Sequence, residues 1–95
     1  MGTALPENEV LEAVAKLPDW KLNGKVIVRN FEFPDFAQAM KFVIRIAEAA
    51  EQANHHPDIA ISYNKVTLSL ISHDSGGVTQ RDLKMAGRIN EIAGT

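Results

Sequence analysis

The chain contains no cysteine, so disulfides and thiolate metal sites are excluded, which fits a reducing, cytoplasmic setting. It lacks a charge excess: 10 Lys and Arg stand against 12 Asp and Glu, a formal net charge of −2, and no basic stripe is visible. Direct nucleic-acid binding is therefore not expected. No long apolar run occurs; Phe42-Val43-Ile44 stops at Arg45, far short of a membrane span. The opening Met1-Gly2-Thr3-Ala4-Leu5-Pro6-Glu7 has neither the basic nor the apolar region of a secretory leader, and none is expected. His-x3-His spacing is missing too, so no metal site is assigned. Gly76-Gly77 lacks the following Lys-Ser or Lys-Thr that would complete a phosphate loop. Trp20 and Tyr63, the single Trp and Tyr, read as packing groups rather than stacking platforms.

What is present suits one small domain over residues 1–95. Apolar residues make up 45% of the chain, enough for one core between two packed layers. A domain of this size is marginal alone, and a homodimer or homotetramer is expected.

The pattern of elements is helix, two strands, helix, two strands, helix. Pro6 suits a first helical position, with Glu7 and Glu9 at the positive end of the helix dipole. Val10, Leu11, Val14 and Leu17 share a face before Pro18 stops the helix. Asn23-Gly24 reads as a two-residue hairpin turn leading into Lys25–Phe33. Val26 and Val28 do not alternate with Phe31 and Phe33, which suggests a bulge near Arg29-Asn30. Asp35 is an N-cap candidate for a long helix striped by Phe36, Ala39, Met40, Val43, Ile46, Ala47 and Ala50. That helix should end near Asn54, because Pro57 follows. A second hairpin turns at Asn64-Lys65; beyond it Val66, Leu68 and Leu70 line one face, and Thr67, Ser69, Ile71 and His73 the other. Thr79 caps the last helix, whose buried side holds Leu83, Ala86, Ile89 and Ala93. The expected fold is α+β: a four-stranded antiparallel sheet with three helices packed on one face.

The histidines carry the chemical interest. His55 and His56 follow the long helix, and His73 follows the fourth strand. A helix C-terminus favours imidazolium, and Pro57 fixes the backbone behind the pair. Adjacent side chains diverge, so one histidine faces a reacting group while the other binds or orients it. On residue type alone, three readings stand: a solvated helix end, a proton-transfer site, or a metal site. Asp82, three residues after Thr79, either supports the helix N-terminus or orients a histidine. Glu51 is most simply a solvated helix residue.

The run Glu51-Gln52-Ala53-Asn54-His55-His56-Pro57-Asp58, then Tyr63-Asn64-Lys65-Val66, Ser72-His73-Asp74 and Arg81-Asp82-Leu83, resembles the pterin-4a-carbinolamine dehydratase family. Upstream, Leu17-Pro18-Asp19-Trp20 and Phe31-Glu32-Phe33-Pro34-Asp35-Phe36 extend the resemblance over nearly the whole chain. It implies the same α+β fold and the dehydration of 4a-hydroxytetrahydrobiopterin to quinonoid dihydropterin, in pterin recycling. The pterin is then the substrate, and no metal or organic cofactor is implied. It also implies His55 and His73 as general acid and base, with His56 binding and orienting the pterin at the same catalytic site. Pro57, Ser72, Asp74 and Ser75 would line the pocket with the histidines, and Glu51 and Asp82 would be supporting carboxylates. Ile59 departs from the pattern, standing where many relatives carry an aromatic residue. A competing expectation is a non-enzymatic interaction protein on this fold, either a transcriptional coactivator or an assembly chaperone; the intact histidine set favours the enzyme.

Overall fold

The computed structural model describes residues 3–94; Met1-Gly2, on which the expectation about a leader partly rests, lie outside the described residues. The elements are α1 (Glu7–Val14), β1 (Lys21–Asn23), β2 (Val26–Glu32), α2 (Phe36–Ala53), β3 (Asp58–Ser62), β4 (Lys65–Leu70), a single 3₁₀ turn (His73–Ser75) and α3 (Gln80–Ala93). The strands form one antiparallel sheet in the order β1-β2-β4-β3.

Pairing decides which face is buried. Ile27 lies opposite Leu70, Arg29 opposite Leu68 and Phe31 opposite Val66, so these six side chains share one face. Val10 and Val14 of α1, Ala39, Phe42 and Ile46 of α2, and Met85, Ala86 and Ile89 of α3 join that face in one core. The three helices therefore cover one side of the sheet, as the α+β pattern predicts. The other side is largely polar, carrying Asn30, Glu32, Lys65, Thr67 and Ser69.

Several local expectations shift. The bulge is absent: β2 pairs with β4 without interruption from Ile27 to Glu32. The broken alternation arises because Arg29 occupies an inward position between Ile27 and Phe31, a buried cation where an apolar residue is usual. Its guanidinium is held by the Asn90 side-chain oxygen, lies 3.4 Å from Asp19, and stacks 4.3 Å from the Phe31 ring centroid. Trp20 donates to the same Asn90 oxygen at 2.8 Å.

Both hairpin turns are displaced by one residue. Asn23 pairs with Val26, leaving Gly24-Lys25 as the loop, with Gly24 at φ +63°. This register sets Leu22 against Ile27 on the core face; a loop at Asn23-Gly24 would have set it against Lys25. The second loop is Tyr63-Asn64, with Tyr63 at φ +55°. Asn64 is tied to Phe33 twice: its side-chain amide donates to the Phe33 carbonyl, and its own carbonyl accepts from the Phe33 N–H, both at 2.8 Å. Lys65 is thereby released into the sheet, between Ser62 and Glu32.

The helices differ by similar increments. Pro6 is the residue before α1 rather than its first, and α1 ends at Val14, ahead of Pro18. Leu11 is exposed. The buried face of α2 is rotated toward Phe42 and Ala49, leaving Phe36 and Ala47 in solvent. Asp35 does cap α2, accepting from the Gln38 N–H at 2.8 Å, and Asn54 closes it in the left-handed conformation. In α3, Asp82, Met85 and Asn90 are buried beside Ala86 and Ile89, whereas Leu83 and Ala93 are half-buried.

Candidate active site

Asp82 is the centre of the site. It lies in the first turn of α3, three residues after the N-cap Thr79. A carboxylate there completes a capping box, accepting the Thr79 N–H at 2.9 Å. Asp82 is nonetheless 0% exposed, and a buried carboxylate needs more than one donor. Ser72 supplies a second, donating its hydroxyl to the same Oδ2 at 2.9 Å, and His55 a third, with Nε2 2.5 Å from Oδ1. Asp82 thus both caps α3 and contacts His55, where the sequence offered these as alternatives.

An ionised carboxylate only accepts, so the His55 proton facing Asp82 sits on Nε2. The ring is fixed in orientation and its Nδ1 is left for another partner. Its side chain is 12% exposed, at the C-terminal end of α2, where the His55 N–H closes the helix on the Ala50 carbonyl at 3.1 Å. His56 diverges from it, as neighbours must. Its Nε2 lies 2.5 Å from the Glu51 carboxylate, and this pair stands in solvent, with His56 55% exposed. Pro57, directly behind them, is buried.

His73 is not a strand residue. β4 ends at Leu70, and His73 opens the 3₁₀ turn, exposed, with no side-chain hydrogen bond among the described residues. The strand stops because the backbone leaves the sheet at Ser72, which bonds across the loop to Gly77 in both directions, at 3.0 and 3.4 Å. The loop is anchored on either side of His73. Ser72, buried, reaches Asp82 and Thr79, while Asp74, exposed, pairs with Arg81 at 2.5 Å. The hydrogen bond from the Arg81 guanidinium holds the Asp74 carboxyl below its ordinary pKa of 3.8. Ser75 is half-buried beside it. His55 and His73 are thus linked by two hydrogen bonds, His55 to Asp82 and Ser72 to Asp82, and one chain step from Ser72.

Beside His55 opens a cavity of about 370 Å³ between α2 and α3, lined by Gln52, His55, Arg81, Lys84, Met85 and Arg88 among others. Apart from His55, none of these side chains was assigned a role from sequence. Arg81, Lys84 and Arg88 are scattered in the chain but share a face of α3 at spacings of three and four, the signal that could have found them. Among the described residues, no group of three or more His, Cys, Asp or Glu side chains is placed to hold a metal ion.

A family model described as Pterin 4 alpha carbinolamine dehydratase matches residues 3–92. The chain belongs to the pterin-4a-carbinolamine dehydratase family. A member from Koribacter versatilis, named "Putative pterin-4-alpha-carbinolamine dehydratase", is 58% identical over 92 residues, 97% of this chain and 98% of its own. One of the same name from Chloroflexus aurantiacus is 48% identical over 90 residues, 95% of this chain and 97% of its own. Among solved structures, a transcriptional coactivator/pterin dehydratase from Brucella melitensis superposes with a TM-score of 0.90 at 40% identity, covering 96% of this chain and 99% of that one. A pterin dehydratase-like protein identified as a RuBisCO assembly factor in the alpha-carboxysome gives 0.69 at 25% identity, covering 81% of this chain and 92% of that one. The dehydratase family therefore includes proteins described by binding or assembly roles, and the residues of the site must separate those roles from catalysis. Among the described residues, no helix is long and apolar enough to cross a membrane.

Proposed function

We propose that the protein dehydrates a 4a-hydroxytetrahydropterin, such as 4a-hydroxytetrahydrobiopterin, to the quinonoid dihydropterin, as a cytoplasmic pterin-recycling enzyme. The observation that carries the reading is the buried Asp82 carboxylate bonded to His55 inside a family of this chemistry.

Hydroxide leaves poorly, so the 4a-oxygen takes a proton as the C–O bond breaks and departs as water. The neighbouring ring N–H gives up its proton, and the freed pair closes a C=N double bond. One proton enters and one leaves, which calls for one acid and one base. His55 and His73 take these two parts, the first held rigidly by Asp82 and the second exposed on a loop pinned to α3. His56, paired with Glu51 in solvent, binds and orients the pterin ring. Pro57 and the segment Ser72 to Ser75, which do not line the cavity between α2 and α3, are assigned to the ring-binding side between His55 and His73. His55→Ala and His73→Ala should each lower kcat by roughly 10²–10⁴-fold in a dehydration assay. Turnover at the wild-type rate in either variant contradicts its acid/base role.

A second reading, an interaction protein, is favoured by one feature. All five residues of the edge strand β3 are exposed, with Ile59 and Ile61 near 40%. We assign this edge to pairing with a second copy of the chain, which is compatible with catalysis and covers an open strand edge.

A further inference from the structure

The cavity beside His55 carries charge that dehydration of a neutral pterin does not use. Arg81, Lys84 and Arg88 project into it from one face of α3, and no Asp or Glu lines it, although the chain as a whole is net acidic. Arg81 shares its guanidinium with Asp74 on the loop. Arg88 has only a long 3.4 Å contact to Glu91, one turn along the same helix. Lys84 has no ion-pair partner among the described residues. The cavity thus carries three cations against two facing carboxylates, Asp74 and Glu91, with Lys84 left unpaired, and so keeps a net positive charge at its open mouth. Its volume of about 370 Å³ lies in the small-molecule range, and Met85 offers an apolar wall.

We propose that this cavity receives an anionic group, phosphate or carboxylate, on the side chain of the pterin whose ring is processed at His55. The inference rests on the dehydratase reading for the ring; the cavity's own charge specifies the side chain. Arginine presents a fork that fits either oxyanion, and Lys84 adds a mobile point charge between the two forks. The substrate class therefore extends to pterins with an acidic tail, which the cavity binds more tightly than the neutral hydroxylated tail.

The test compares three dihydropterins with the same ring and a neutral, carboxylated or phosphorylated side chain, by calorimetric titration. The phosphorylated compound should bind about tenfold tighter than the neutral one, the gain of one charge-assisted hydrogen bond. The advantage should shrink as salt is raised. In Lys84→Gln/Arg88→Gln the affinity ratio should fall to near one, with an unchanged circular dichroism spectrum, since both side chains are exposed. The carboxylated compound shows whether charge alone suffices. Equal affinities in the wild type, or a ratio unmoved in the double variant, overturn the anionic site. Selective binding without turnover of any 4a-hydroxy derivative leaves the anionic site standing and removes the dehydratase reading. Failure of all three to bind overturns the anionic site, while turnover of the 4a-hydroxy derivatives decides the dehydratase reading separately.

Discussion

Asp82 has three donors on two oxygens: the His55 ring, the Ser72 hydroxyl and the Thr79 N–H. An asparagine has one acceptor oxygen, so Asp82→Asn must set its amide N–H against another donor. The expected cost is about 1–3 kcal/mol of stability by urea unfolding. Dehydration should slow roughly tenfold as well, because His55 loses its fixed orientation and proton position. Asp74 gives a separate check. Its hydrogen bond to Arg81 lowers its pKa below 3.8, so the pair contributes at pH values above 3.8 and is lost as pH falls through the lower folded value. An NMR titration should find the Asp74 midpoint below 3.8 and returning toward it in Arg81→Gln. The ordered run of histidines and the Thr79-to-Asp82 spacing are visible in sequence because they are local. Arg29 and Asn90, 61 residues apart, meet inside the core, and no local pattern could pair them.

The loop between β4 and α3 depends on close packing with the N-terminal segment. Leu5 donates its N–H to the Val78 carbonyl at 2.8 Å, and a Cβ on Gly77 would fall 2.9 Å from the Ala4 Cβ. Gly77→Ala should push the N-terminal segment at Ala4 from the loop, cost roughly 1–3 kcal/mol in thermal unfolding, and speed amide exchange at His73 to Gly76. The hairpins show how far sequence reading reaches at this scale. Alternation located β4, hairpin signals and β-rich composition located the other strands, and capping residues located α2 and α3. The turns were displaced because pairing of Leu22 with Ile27, and the grip of Asn64 on Phe33, outweigh local turn preference. His73 was misplaced for the same reason: period-two counting has no means to see the backbone leave the sheet at Ser72.

The molecule is held across its layers by the Asn90 oxygen, which accepts from Arg29 on β2 and Trp20 before β1. Asn90→Ala removes that acceptor from two buried donors and should cost about 1–3 kcal/mol, read as a drop in Tm. On the opposite margin, β3 leaves an edge for a second copy. Light scattering should give at least a dimer for the wild type, and Ile61→Lys should favour the monomer by placing charge on that edge. The central claim is tested most directly by stopped-flow mixing of the protein with synthetic 4a-hydroxytetrahydropterin. The account predicts that the intermediate decays faster in proportion to protein concentration, with His55→Ala close to buffer. Decay no faster than in buffer alone would contradict it.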